Sequence, residues 1–262
     1  MRKKILLLLC AIVSITISAQ DPTIVLKTAR ATGMPAKLDL RLPSSGDVQI
    51  DWGNGTLMKY TVGNNSTSIQ GILSGEFIKI YNKNLIFLSC ADLDITSVDA
   101  TRATELQQLY CEKNDLTELD VTCNAKLVRL GAHTNKLRDL DLSKNRKLTG
   151  LYLQKNQFDS RALNSIYDAV SKLKTMPSNV NLRITGNPGA NSSNSQIATD
   201  KNWNIDVQGD NSGGQPIILS TSKQAGEEII IELRLSEGGN VEIDWGKGNQ
   251  LARREIENTA EK

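Results

Sequence analysis

Histidine occurs once in these 262 residues, at His133. That excludes acid–base chemistry built on paired imidazoles and metal sites that need more than one. The chain also has no G-x-G-x-x-G, no Walker loop, no H-E-x-x-H and no G-x-S-x-G, so the common nucleotide, metalloprotease and serine-hydrolase sites are missing. Cysteine is sparse: Cys10, Cys90, Cys111 and Cys123, with no C-x-x-C. Three of them lie beyond the N-terminal leader, an odd number that does not indicate a disulfide framework. Long apolar runs are absent outside the first twenty residues. The sequence therefore predicts no enzyme, no cofactor, no metal and no membrane insertion once the leader is removed.

The leader has three recognisable parts. Arg2, Lys3 and Lys4 are basic, residues 5–17 are apolar, and Ser18-Ala19 are small. This order predicts a secretory signal peptide over residues 1–19, cut after Ala19. The apolar run is shorter than the roughly 20 residues a membrane span needs. Cys10 follows the bulky Leu9 and only a short apolar stretch, which argues against a lipid-anchored cysteine. Net charge is +2, from 31 basic and 29 acidic side chains; without the three basic leader residues it becomes about −1. A near-neutral chain with scattered charge has no footprint for nucleic acid.

What the sequence does contain is a repeat of 21 residues over positions 85–158. Leu85, Leu106, Leu127 and Leu148 share one position, and Leu88, Leu109, Leu130 and Leu151 share the next. Cys90, Cys111, Ala132 and Leu153 follow, then Asn114, Asn135 and Asn156, with Leu93 in that place in the first unit. A second half-unit runs Leu116-x-x-Leu119-Asp120-Val121 and Leu137-x-x-Leu140-Asp141-Leu142, with Ile95-x-x-Val98-Asp99-Ala100 as a looser copy. One such coil cannot bury its apolar face alone, so the coils are expected to stack, strand beside strand. The asparagines are expected to satisfy backbone polar groups where the chain bends after each strand.

These units resemble the repeats of bacterial surface and secreted leucine-rich-repeat proteins of the form Leu-x-x-Leu-Asp-Val-Ser-x-Asn-x-x-Leu-x-x-Leu-x-Cys-x-x-Asn. The match is closest at Leu119-Asp120-Val121-Thr122-Cys123-Asn124 and Leu140-Asp141-Leu142-Ser143-Lys144-Asn145; the first unit departs, with Ala103 in place of the first asparagine. The resemblance implies a short solenoid. Behind it, Leu163, Ile166, Tyr167, Val170 and Leu173 lie at helical spacing after a cap at Asp159 or Ser160, with Pro177 ending the helix region. A strand over 180–184, the turn Gly186-Asn187-Pro188-Gly189, a short helix near 195–202 and a strand near 203–207 complete a cap. Family members carry a similar Gly-Asn-Pro-Gly and Ile-Ala-Thr tail, here Ile197-Ala198-Thr199.

A second repeat flanks the first. Leu38-x-Leu40-Arg41-Leu42 and Val48-x-Ile50-Asp51-Trp52-Gly53 return, 193 residues on, as Ile231-x-Leu233-Arg234-Leu235 and Val241-x-Ile243-Asp244-Trp245-Gly246. The alternation predicts strands, with hairpin turns at Gly53-Asn54-Gly55 and Gly246-Lys247-Gly248. The Asp-Trp-Gly-x-Gly turn resembles that of secreted β-sandwich modules of the polycystic-kidney-disease type, where it is structural. The first copy runs on through strands near 60–62, 68–72 and 77–81; the second reaches Lys262 before their equivalents. It is expected to be about half a module, either part of a longer protein or poorly packed. The expected fold is thus a mixed α/β repeat protein: a signal peptide at 1–19, a small antiparallel β module at 20–84, a leucine-rich-repeat solenoid with a helical C-terminal cap at 85–208, a Gly/Ser/Asn linker at 209–215, and a partial second module at 216–262.

The candidate site is the outward face of the repeat strands. Phe87, Ser89 and Ala91 face outward in the first unit, and Gln108, Tyr110 and Glu112 in the second. Arg129, Gly131 and His133, then Gly150, Tyr152 and Gln154, follow. Gln108, Tyr110, Glu112, Arg129, His133, Tyr152 and Gln154 are the expected ligand contacts. Tyrosine suits a peptide or a sugar because it offers both apolar area and a hydroxyl. His133 has no partner at ligand spacing and reads as a plain strand residue. Cys90 and Cys111 read as buried thiols in leucine places, with a bridge between them as the alternative, and Cys123 as a loop thiol. Asp99, Asp120 and Asp141 form a column that suits turn capping, with calcium as the other use of stacked carboxylates. The resulting expectation is an exported, monomeric, non-catalytic scaffold, extracellular or at the cell surface, that recognises a protein or glycan. The alternative is a spacer segment of a larger surface protein.

Overall fold

Alternating apolar and polar residues set the first strands. A computed structural model describes residues 21–172, 180–206, 239–244 and 251–256. It divides the chain into two units, Met1–Pro216 and Ile217–Lys262. The first unit opens with β1 (Ile24–Thr28), β2 (Pro35–Arg41), β3 (Gly46–Asp51), β4 (Leu57–Val62), β5 (Thr67–Ile72) and β6 (Phe77–Tyr81). Ile24 and Leu26, Leu38 and Leu40, Val48 and Ile50, and Ile78 and Ile80 are all fully buried, one face of each strand. The repeats contribute β7 (Phe87–Ser89), β8 (Ile95–Asp99), β9 (Gln108–Tyr110), β10 (Arg129–Gly131) and β11 (Gly150–Tyr152). Then come α1 (Ser160–Ser171), β12 (Val180–Arg183), α2 (Gln196–Thr199) and β13 (Trp203–Asp206).

These strands form two sheets that share one apolar core. One has five strands in the order β4-β3-β6-β1-β8, the other eight in the order β13-β12-β11-β10-β9-β7-β2-β5. In the second sheet β7, β9, β10, β11, β12 and β13 run parallel and in register, so that Leu88, Leu109, Leu130, Leu151 and Leu182 lie side by side. All five are fully buried. β2 joins the same sheet antiparallel to β7 and is flanked in turn by β5. β1 pairs antiparallel with both β6 and β8.

The mixed α/β solenoid expected from the sequence is corrected by this arrangement. The fold is β-rich, and the two helices among the described residues have 12 and 4 residues. Nor do the repeats stand free of the strands before them, because β2 and β1 are built into the sheets of the repeats. The physical reason lies in chain length. A helix advances only about 1.5 Å per residue against about 3.3 Å for a strand. Successive core leucines at 88, 109, 130 and 151 are 21 residues apart, which leaves no helix on the return leg. The next step, from Leu151 to Leu182, spans 31 residues, and this is the coil that holds α1. In the shorter coils the return leg is β8 in the first and a series of turns in the next two. Asp99, Asp120 and Asp141 each accept a hydrogen bond from the backbone N–H two residues on, at 3.0, 2.8 and 2.8 Å. The aspartate column is therefore turn capping; the Thr101 hydroxyl, then its N–H, hold the Asp99 carboxyl below the usual carboxylate range, and the Ser143 N–H, then its hydroxyl, do the same for Asp141.

The cap follows its sequence signals where it is described. Asp159 accepts from the Ala162 N–H at 2.7 Å, which makes it the N-cap of α1. Leu163, Ile166, Tyr167 and Val170 are buried on one helix face. Leu173, Pro177, the leader, the linker at 209–215 and residues 216–238 lie outside the described residues. In the second unit, β14 (Gly239–Asp244) pairs antiparallel with β15 (Leu251–Ile256), the counterpart of the β3–β4 hairpin; the turn between them, with Gly246-Lys247-Gly248, is likewise outside the described residues.

The Asp51-Trp52-Gly53-Asn54-Gly55 turn is structural. The Asp51 carboxylate accepts from the N–H groups of Gly53 and Gly55 at 2.8 and 2.9 Å. Trp52 is buried, donates to the Tyr60 hydroxyl at 3.0 Å, and lies against Gly71, where a Cβ would meet the indole at 2.1 Å.

Buried asparagine side chains clamp each coil to the next. The Asn135 amide donates to the carbonyls of Cys111 and Ala132 at 2.9 and 3.1 Å, while its oxygen accepts from the Leu116 N–H at 3.0 Å. Asn114 and Asn156 repeat the pattern one coil before and one coil after. Asn187 supplies a further rung, donating to Leu153 and Ile184 and accepting from the Phe158 N–H. A second column, Asn124 and Asn145, donates to two carbonyls of the preceding coil each. The clamps hold a strained bend: Lys113, Thr134 and Lys155, each just before a rung, sit at φ of 56, 57 and 53°, a region that costs a residue with a Cβ about 1 kcal/mol.

Cys90 and Cys111 are free and buried in neighbouring coils, and Cys123 is free and exposed. Burial, with the Glu112 charge added, pushes the Cys90 thiol up to about 12. Burial likewise pushes Cys111 well above the usual thiol range, with Cys90 and Glu112 adding to it.

Two outcomes are expected. Asn135→Leu keeps the apolar bulk but leaves the Leu116 N–H unpaired, at about 1–3 kcal/mol for a buried group; the carbonyls of Cys111 and Ala132 each lose one of two donors and keep Asn114 and Asn156. Thermal unfolding should move down by at least about 2 °C, while Lys136→Gln, an exposed neighbour, should stay within about 1 °C. Iodoacetamide at pH 8 should label Cys123 on the folded chain and spare Cys90 and Cys111, as read by peptide mass mapping; equal labelling of all three contradicts the packing described.

Candidate functional site

The sheet register lines up side chains that are far apart in sequence. Arg41, Phe87, Gln108, Arg129, Gly150 and Asn181 form one row across β2, β7, β9, β10, β11 and β12. Asp39, Ser89, Tyr110, Gly131, Tyr152, Arg183 and Asp206 form the next. Gln108, Tyr110 and Tyr152 are partly exposed and Arg129 is exposed. Glu112, His133 and Gln154 follow two residues beyond the second row, one per coil, and are partly exposed. All seven residues expected from the sequence thus belong to this one face.

Two glycines give the aromatic rings their places. Tyr110 reaches over the neighbouring strand: a Cβ at Gly131 would meet its ring at 2.5 Å and the Glu112 carboxylate at 3.3 Å. Tyr152 lies over Gly150 of its own strand, where a Cβ would meet the ring and its hydroxyl at 3.4 Å. Gly131 and Gly150 are therefore buried beneath side chains and form the floor of the site. Phe87 stands beside Tyr110, with ring centroids 5.8 Å apart and planes tilted by 51°, a favourable aromatic arrangement. A guanidinium closes each end: Arg41 lies 5.4 Å from the Phe87 ring centre and Arg183 5.7 Å from that of Tyr152, within cation–π range. The result is a stripe, Arg41–Phe87–Tyr110–Gly131–Tyr152–Arg183, running across six strands.

The face carries more positive than negative charge. Arg41, Arg129 and Arg183 lie in the two rows, and Lys113 and Lys155 are close enough to His133 to lower its pKa. Burial is the larger cause of that lowering, and Glu112 opposes it. His133 bonds the Thr134 hydroxyl at 3.1 Å. Among the described residues, no group of three or more His, Cys, Asp or Glu side chains is placed to hold a metal ion. Glu112 Oε2 and Gln154 Oε1, on either side of the β10 coil, are shielded from solvent and have no hydrogen-bond donor.

Sequence reading missed both arginine ends. Arg183 was within reach, since alternation in β12 turns Asn181 and Arg183 away from buried Val180 and Leu182. Arg41 was not, because nothing local announces that β2 pairs with β7 across 46 residues (Arg41 with Phe87).

Among the described residues, no helix is long and apolar enough to cross a membrane. No family model matches the chain, and no curated protein matches it. Among solved structures it is similar, at 29% identity over 42% of its length, to the functional domain of InlJ from Listeria monocytogenes, described as including a cysteine ladder. The TM-score is 0.32, and the match spans 22% of that chain. The fold assignment here rests on strand pairing and not on that likeness.

Proposed function

We propose that this chain is an exported, non-catalytic recognition protein, extracellular or at the cell surface, which holds a protein or glycan on the outward face of its parallel strands. The aromatic stripe carries this reading. Phe87, Tyr110 and Tyr152 stay partly exposed on a sheet whose other face is fully packed, and guanidinium groups flank them at 5.4 and 5.7 Å. Tyrosine and arginine are the side chains that most often carry binding energy at interfaces. The face is held by a stack of backbone-paired coils and has little ordering entropy to lose on binding.

One observation favours a second reading. The β14–β15 hairpin duplicates β3–β4 in a separate unit, as a spacer built from repeated β modules would.

The test is a binding screen of the full chain against immobilised extracellular-matrix proteins and a glycan array, beside the double variant Tyr110→Ala/Tyr152→Ala. A saturable ligand is expected for the unaltered chain, bound at least about 30-fold more weakly by the variant, as loss of one hot-spot side chain worth about 2 kcal/mol predicts. Absence of saturable binding to every surface puts the spacer reading ahead.

A further inference from the structure

Resting on that reading of the strand face, we infer that its ligand is a neutral oligosaccharide, with sugar rings stacked on Tyr110 and Tyr152 and hydroxyl groups donating to Glu112 and Gln154. Four observations converge on it.

The first is the pair of acceptors without donors. Glu112 Oε2 and Gln154 Oε1 make no hydrogen bond and are shielded from solvent. Buried polar atoms are satisfied in the great majority of cases, and an orphan is costly. Both residues remain partly exposed. What these two positions call for is a ligand that donates.

The second is charge, which decides the kind of donor. A lysine or arginine from a partner would donate, but between the two tyrosines it would approach Arg129 and Arg183 on the face and Lys113 and Lys155 beside it, against the carboxylate of Glu112, the other carboxylates of the row, Asp39 and Asp206, lying at its two ends. Like charges at this density disfavour a cation. The donors are therefore neutral O–H or N–H groups.

The third is the aromatic floor. A pyranose ring has an apolar C–H face and a rim of hydroxyls, which suits a tyrosine ring bordered by Glu112, Gln154, Gln108 and Asn181. Gly131 and Gly150 supply the room for those tyrosines to lie against the backbone.

The fourth is spacing. Tyr110 and Tyr152 sit on alternate strands, and Glu112 and Gln154 follow them by two residues, which puts equivalent backbone positions about 9.5 Å apart. An extended peptide crossing the strands repeats same-side N–H groups every ~6.7 Å and falls out of step. A linked pair of hexose rings spans the longer interval.

The experiment is calorimetric titration of the full chain with neutral hexose and N-acetylhexosamine oligomers of two to six units. Uronate and sulfated oligosaccharides and the matrix proteins serve as parallel probes. Glu112→Gln and Gln154→Ala are made singly, with thermal unfolding confirming that each folds; Tyr110→Phe keeps the ring and Tyr110→Ala removes it. The expected result is saturable binding of a neutral oligomer, weakened at least tenfold by Glu112→Gln and by Tyr110→Ala, and within threefold of the unaltered chain for Tyr110→Phe. Saturable binding of a matrix protein with no sugar bound overturns the neutral-sugar inference and leaves the recognition reading standing. Binding confined to acidic oligosaccharides does the same. A neutral sugar whose affinity is unmoved by Glu112→Gln and Tyr110→Ala overturns the placement on this face. No saturable binding to any probe overturns both readings.

Discussion

The side-chain amide of a buried asparagine is the contact on which the rest of this structure depends. An amide offers two donors and an acceptor in one plane, and here they are spent across two coils at once. Asn135 holds the carbonyl of Cys111 from the coil before, the carbonyl of Ala132 from its own, and the N–H of Leu116 from the return leg between them. Leucine in that place would bury as much apolar surface but leave the Leu116 N–H unpaired and take one of two donors from each carbonyl, which Asn114 and Asn156 also reach. Each rung also stabilises a residue at positive φ just ahead of it, so bend, strand and return leg are fixed together.

With the coils locked at one repeat, the parallel strands stay in register and place Leu88, Leu109, Leu130 and Leu151 in one buried line. The same register arranges the opposite face. Tyr110 reaches Gly131 only because β9 and β10 pair at those two residues. A slip of one residue would turn the tyrosines into the core. The aromatic stripe is therefore a consequence of the asparagine columns, and damage to a rung should reach the binding face through the register.

Much of this was legible in the sequence because it is local and periodic. The 21-residue spacing identified the leucine lines, the asparagine rungs at 114, 135 and 156 and the outward positions of the face, all of which involve strands separated by one repeat. Asp159 as a helix cap and the aspartate column as turn caps were legible for the same reason. Asn187 was harder to see as a rung, because α1 lengthens its coil from 21 to 31 residues and breaks the period. The fold class was misjudged because the helical cap was weighed beside the repeats and the first β module was set apart from them, whereas the helices among the described residues have 12 and 4 residues and β1 and β2 pair with the strands of the repeats. The arginine ends of the stripe depend on β2 and β12 joining the sheet, and pairing across 46 or 31 residues leaves no mark in a local pattern. The orphan acceptors at Glu112 and Gln154 follow from side-chain packing alone, which no spacing encodes.

Amide hydrogen exchange tests the central claim most directly. The N–H groups of Leu116 and Leu137 donate to asparagine side chains at 3.0 Å, whereas those of Cys111 and Ala132 donate to backbone carbonyls of the next coil at 2.7 and 2.9 Å. If the asparagines clamp the coils, all four amides open in one cooperative unit and exchange at similar slow rates. Exchange of Leu116 and Leu137 at the rate of exposed loop amides, with Cys111 and Ala132 still protected, would show that the strands hold without the rungs and would contradict the account.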